Sequence, residues 1–189
     1  QLDALRPEIL LFVDALKEVQ ITRDGHTQVW TFEGDDSAAM VLNDSVPLGI
    51  WQLYRRRDLL PHEVLAPDQK EPLSYEVVVA VPELAGSDNL AVSPLFSHFP
   101  TSIIMPLPVV CHATLELDES RNHAQPTASN RFVMGQLAEL LSEAAAVRAA
   151  KYPDGPNAGY RLVRPLDSFP IDLVLGSFPE SLMSAIRGK

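Results

Sequence analysis

Leu73-Ser74-Tyr75-Glu76-Val77-Val78-Val79-Ala80-Val81 runs into Pro82 and is the most strand-like stretch of the chain. Four valines and an alanine in unbroken succession leave no polar face. Such a strand has to be covered on both sides, unlike an alternating strand with one face in water. Pro82 cannot donate to a ladder and closes the run. A doubly covered strand belongs near the centre of a sheet, and the rest of the chain is read around it.

Upstream, Pro61, Pro67 and Pro72 mark residues 58–72 as a loop. Before it, Ile50–Arg55 and Ala39–Leu42 read as strands, with Pro47 and Gly49 weakening the start of the later one. Val19-Gln20-Ile21 and Val29-Trp30-Thr31-Phe32 flank Asp24-Gly25, a pair that tolerates the positive φ of a tight hairpin turn. Pro7 suits a helix start, and Ile9, Phe12, Val13 and Leu16 follow at helical spacing, which predicts a short amphipathic helix over 7–17.

Downstream, Gly86-Ser87-Asp88-Asn89 predicts a loop and Val109–Leu117 another strand. Thr127 or Ser129 can cap a long helix over about 130–150. Along it Val133, Leu137, Leu140, Ala144 and Val147 form one apolar seam, read as packing on the sheet. Asp154 to Gly159 is turn-rich. Tyr160–Arg164 and Ile171–Leu175 are predicted as short strands, and Ser181–Arg187 as a terminal helix. The fold class expected is α+β: a mixed, mainly antiparallel sheet of about five strands with helices on one face. Residues 1–152 form the main domain, and 153–189 a C-terminal extension or the start of a following subdomain.

The 189 residues are 46% hydrophobic and carry a formal net charge of −10. That charge repels phosphate backbones, so the domain alone is not expected to bind nucleic acid. The one cysteine, Cys111, cannot form an internal disulfide, which predicts a reducing, cytoplasmic setting. It sits in the apolar run Val109-Val110-Cys111 and reads as a small buried hydrophobe. No apolar run approaches the ~20 residues of a membrane helix. The chain opens on Gln1 with no signal peptide, which predicts a trimmed fragment.

Several chemistries have no motif here. There is no G-x-x-x-x-G-K-[ST] phosphate loop, no G-x-G-x-x-G and no G-x-S-x-G elbow. The histidines form no H-E-x-x-H pair, and no metal site is predicted. His112 falls in the Val109–Leu117 strand and His98 in a loop, between Ser97 and Phe99. Arg55-Arg56-Arg57 reads either as a solvated strand end or as a docking patch for a phosphate or an acidic neighbour. Asp118-Glu119 precedes Ser120-Arg121 at a strand end, where working residues are often placed.

Two segments go beyond generic patterning. One is Leu95-Phe96-Ser97-His98-Phe99-Pro100-Thr101 with Pro106-Leu107-Pro108. The other is His112-Ala113-Thr114-Leu115-Glu116-Leu117-Asp118-Glu119-Ser120-Arg121, with Asn130 opening the long helix. Together they resemble the region after the nucleotide-binding domain of sacsin-type ATPases, which are similar to the ninety-kilodalton heat-shock chaperones of the GHKL group. The likeness covers about residues 5–150. It implies a transducer-like fold, related to ribosomal protein S-five domain two. It also implies that Ser120-Arg121 matches a Ser-Arg pair whose arginine reaches ATP's γ-phosphate in the adjoining domain. Asn122 stands where the chaperones usually carry an acidic residue, and the loop His123–Ser129 is longer.

The expectation is therefore a middle domain that senses ATP bound by an upstream domain and relays closure to later ones. ATP and Mg would be cofactors of the full-length protein and not of this chain. Arg121, with Ser120, would act at the exposed end of the Val109–Leu117 strand. His98, Pro100, Thr101, Arg55, Arg56 and Arg57 are the candidate binding residues. The upstream ATP-binding domain is the first partner, and a second copy in a homodimer is another. The rival reading is a protein-interaction module in which the Phe96–Thr101 loop and the arginines hold a client. A hydrolase built on His98 or His112 is the third.

Overall fold

Val77 to Val81 are each no more than 1% exposed. In the computed structural model, which describes residues 5–69, 71–83, 92–152, 155–168 and 175–188, this run lies inside β5 (Ser74–Pro82) and has a core on either side. Tyr75, Val77, Val79 and Val81 face helix α1 (Ala128–Lys151). Val78 and Ala80 face a second core with Trp30, Trp51, Phe96 and the segment Ile9–Phe12.

The other strands are β1 (Glu18–Arg23), β2 (His26–Gly34), β3 (Ala38–Asn43), β4 (Val46–Leu59), β6 (Ser93–Ser97), β7 (Phe99–Met105) and β8 (Val110–Ala113). Among the described residues they form one sheet in the order β1-β2-β3-β4-β5-β8-β6-β7. The β6–β8 pair is parallel and the rest are antiparallel. The class is thus α+β with a mixed, mainly antiparallel sheet, but eight strands replace the expected five or so.

Much of the excess is β6 and β7, hidden in the sequence by Pro94, Pro100 and Pro106. The fold places two of these where a missing N–H costs little. Pro94 sits at a register shift against β7. Pro100 lies on the outer edge, where Ser102 two residues on donates its N–H away from β6, to Asn122 O at 2.9 Å. The proline and that turn together close β7 to further strand pairing.

Other expectations need correction. Residues 7–17 do not form a helix: only Pro7–Leu11 make a 3-10 turn. Ile9, Leu10, Leu11 and Phe12 are all buried, so the segment is enclosed on several sides and has no polar stripe to present. The strand at Val109–Leu117 stops at Ala113. Beyond it Leu115 N–H and Glu116 N–H turn to the side chains of Ser97 and Asn130. Tyr160–Arg164 belongs not to a strand but to helix α2 (Gly155–Val163) and the residue after it. Gly159 and Leu162 are buried on one side of α2, and an added Cβ at Gly159 would stand 2.4 Å from Ala145 O of α1. The helices touch through backbone there, which only glycine permits. The predicted loop at Gly86–Asn89 and most of the predicted strand at Ile171–Leu175 fall outside the described residues.

Thr127 caps α1 by accepting the Asn130 N–H at 3.2 Å. Val133, Leu137, Leu140 and Ala144 are buried along the seam, while Val147 is 47% exposed beyond the sheet. Leu162 and, from α3 (Phe178–Arg187), Phe178 and Leu182 enter the same core as Leu137.

Candidate functional site

The predicted strand end is a tied turn instead. The Asp118 carboxylate accepts from the Ser120 hydroxyl at 2.8 and 2.9 Å, from Asn122 N–H at 3.1 Å and from His123 N–H at 3.3 Å. Arg121 N–H closes the turn on Asp118 O at 2.9 Å, and Asp118 N–H pairs with His123 O at 2.9 Å. The Ser120 hydroxyl, then these backbone donors, hold the Asp118 carboxyl down to about 2. At its base the Asn130 side chain accepts from Glu116 N–H and donates to Glu116 O and Gln125 O, each at 2.8 Å.

Arg121 rides on this turn with φ 57, in the left-handed region. Its side chain is exposed, and among the described residues its guanidinium has no hydrogen-bond or ion-pair partner. Ser120, expected to act beside it, spends its hydroxyl on Asp118.

Arg121 borders an open groove of about 900 Å³. One wall is apolar, from Ile9, Val13 and Leu16 of the N-terminal segment. A second is Ser97-His98-Phe99 at the β6–β7 turn. The third runs from Leu115 through Asp118, Glu119 and Arg121 to Gln125. Phe99 is 60% exposed at its rim. Of the expected site residues, the groove brings together His98 and Arg121. Pro100 is half-buried and does not line it. Thr101 is buried in the hairpin, with its hydroxyl donating to Leu95 O at 2.8 Å.

All three arginines are paired with acids, Arg55 and Arg56 largely covered and Arg57 half-exposed near the end of β4. Alternation along β4 sends Arg55 and Arg57 to one face and Arg56 to the other. Arg55 pairs with Asp14 at 3.0 Å and Glu76 at 2.7 Å. Arg57 pairs with Glu76 at 2.7 Å and with Asp14. Arg56 reaches α1, meeting Gln136 at 2.7 Å, Glu139 at 3.0 Å and Glu143 at 2.9 Å. The acids that neutralise this run lie far away in sequence.

His98 stands at φ 62, and its N–H donates to Nδ1 of the buried His112 at 3.3 Å. Burial, with His98, Arg55 and Arg57 nearby, pushes the His112 imidazole down to about 3, and burial alone pushes the Cys111 thiol up to about 12. Neither a cationic His112 nor a thiolate at Cys111 is present near neutrality. Among the described residues no group of three His, Cys, Asp or Glu side chains is placed to hold a metal ion. No helix among them is long and apolar enough to cross a membrane.

The turn-forming role of Asp118 was readable from its spacing to Ser120, since Asp commonly accepts from groups two residues on. Its test is Asp118→Ala. Amide exchange at Asn122 and His123 is expected to rise about tenfold, with the melting temperature nearly unchanged. Acid acts the same way on the wild type. The carboxyl's depressed value means its contribution is present above the ordinary 3.8 and lost as pH falls toward about 2. Unchanged exchange in the variant would assign the turn to its backbone pairs alone.

No protein-family model matches the chain, and no curated protein or solved structure is significantly similar to it.

Proposed function

We propose that the chain is the transducer-like middle domain of a larger GHKL-type ATPase, presenting Arg121 to the γ-phosphate of ATP held by an adjoining domain. The observation that carries this reading is an exposed guanidinium, unpaired among the described residues, on a turn held by the Asp118 carboxylate together with its backbone pairs. A long cation tied at its base and free at its tip suits a phosphate supplied from outside, because the planar fork matches phosphate oxygens. Phosphoryl transfer depends mostly on positioning and charge, and an arginine delivered in trans contributes about 10³–10⁵ in rate. The chain supplies that cation and its support. Mg-ATP and its ligands belong, in this reading, to the domain upstream. The sequence offers this chain no nucleotide-binding box of its own.

One observation favours a second reading, a protein-interaction module. Phe99, 60% exposed beside an apolar wall, is the kind of aromatic that anchors partners. The two readings separate on turnover of the longer ATPase with and without the Arg121 guanidinium.

The division of labour also has its own test. Calorimetric titration of this chain with Mg-ATP is expected to show no binding tighter than about 100 μM, since one arginine cannot supply the ~8 kcal/mol of a micromolar site. A micromolar dissociation constant would place the nucleotide here and overturn the trans arrangement.

A further inference from the structure

His112 lies beneath the groove with none of its surface exposed. It touches two of the walls. His98 donates its N–H to Nδ1 at 3.3 Å, and the His98 ring stands edge-on at 5.1 Å. On the other side the Phe12 ring lies at 5.5 Å and only 20° from parallel. Phe12 belongs to the segment whose Ile9, Val13 and Leu16 form the apolar wall.

We propose that His112 is a positioning residue for the groove: as the neutral Nε2–H tautomer it ties the His98 turn to the N-terminal segment and so fixes the spacing of the two walls opposite Arg121. This rests on the groove being the working site. A non-glycine residue at φ 62 is held in a sparsely populated conformation and persists where its surroundings dictate it. Ser97 and Phe99 pair directly across His98, so the tight turn calls for that φ, and the imidazole acceptor takes the N–H that the turn leaves over. Nδ1 can accept only while it carries no proton, so the neutral ring keeps its proton on Nε2. Nε2 makes no hydrogen bond among the described residues; the Glu76 carboxylate stands 4.0 Å from it, so a proton there meets a negative charge.

The charged and titratable groups around the ring come from every neighbouring element: Glu76 of β5, Arg55 and Arg57 of β4, Asp14 of the N-terminal segment and His98 of the turn. Burial, His98 and the two arginines oppose a second proton, and Asp14 favours it. The tie therefore holds through neutral and mildly acid pH.

The test compares His112→Asn with His112→Gln in this chain, by amide exchange. Asparagine places an acceptor near the position of Nδ1. Glutamine reaches the position of Nε2 and leaves the His98 N–H without a partner. Exchange at His98 is expected to stay within about threefold of wild type in His112→Asn and to rise at least tenfold in His112→Gln, with Val79 and Cys111 unchanged in both. Equal exchange at His98 in the two variants would overturn the proposal. So would a rise at Val79 and Cys111 as large as that at His98, because His112 would then be ordinary core. The wild-type imidazole gives a readout independent of variant folding: ring ¹⁵N shifts at pH 7 are expected to show Nε2–H, and a proton on Nδ1 overturns the tie. None of these measurements uses nucleotide, so they fail separately from the Arg121 reading.

Discussion

On the proposed role, replacing Arg121 with alanine in an ATPase that contains this domain is expected to lower turnover by a factor on the order of a hundred or more, with melting temperature and ATP affinity nearly intact. The stability half of this follows from the structure. The guanidinium is exposed and has no partner among the described residues, so truncating it removes no hydrogen bond or ion pair among them. Alanine at φ 57 keeps the same left-handed cost that arginine already bears, because both carry a Cβ. The turnover half follows from the proposed role: charge on the transferring phosphoryl group is greatest in the transition state, so the lost contact matters there most. Arg121→Lys is expected to restore only part of the rate, since an ammonium replaces the charge and not the fork. Full turnover in a folded Arg121→Ala protein would remove this residue from the mechanism and put the interaction module first.

What was legible in the sequence tracks the range of the forces involved. Val77 to Val81 announced a doubly covered strand because five apolar residues in a row have one economical solution, and α1 announced itself through its seam and its Thr127 cap. The hairpin β6–β7 did not, because Pro94 and Pro100 argue locally against a strand and are admitted only by a register shift and an outer edge. The stretch after Pro7 carried a helical spacing that tertiary burial overrode. Tyr160–Arg164 read as a strand, and the helix there packs through Gly159 against the α1 backbone, a contact no local pattern reveals.

At the site the same limit applies. The arginine run was visible, but Glu76 and Asp14, which pair with Arg55 and Arg57, are separated from it in sequence; β5 brings the first alongside and the packed N-terminal segment the second. The tie between His98 and His112 likewise depends on β8 lying beside β6.

Asn130→Ala is expected to be the most damaging of the stability changes considered, because this side chain holds the base of the turn that carries Arg121. Asn130 is 1% exposed and uses both ends of its amide. It accepts from Glu116 N–H and donates to Glu116 O and Gln125 O, each at 2.8 Å. Alanine removes all three hydrogen bonds: it leaves Glu116 N–H without a partner, while Glu116 O keeps the Gln125 N–H at 2.9 Å and Gln125 O the Thr127 N–H at 2.8 Å. At about 1 kcal/mol apiece the loss comes to about 3 kcal/mol, a fall in melting temperature of roughly 6–12 °C for a chain of this size. The Thr127 cap survives, since it takes the backbone N–H of residue 130 and not its side chain. Asn130→Asp separates the donors from the acceptor. It keeps an oxygen for Glu116 N–H but aims a second oxygen at two carbonyls, so at pH 7 it is expected to be at least as unstable as the alanine variant. Burial beside carbonyls raises the new carboxyl's folded-state value above its unfolded one, so the folded state takes up the proton first. The stability of Asn130→Asp should then rise relative to Asn130→Ala as pH falls toward 4, where the neutral acid can donate to one carbonyl. Thermal melts of both variants across pH 4–7 decide it. Parallel profiles, or an alanine variant within 1 kcal/mol of wild type, would show that the turn is held without this amide.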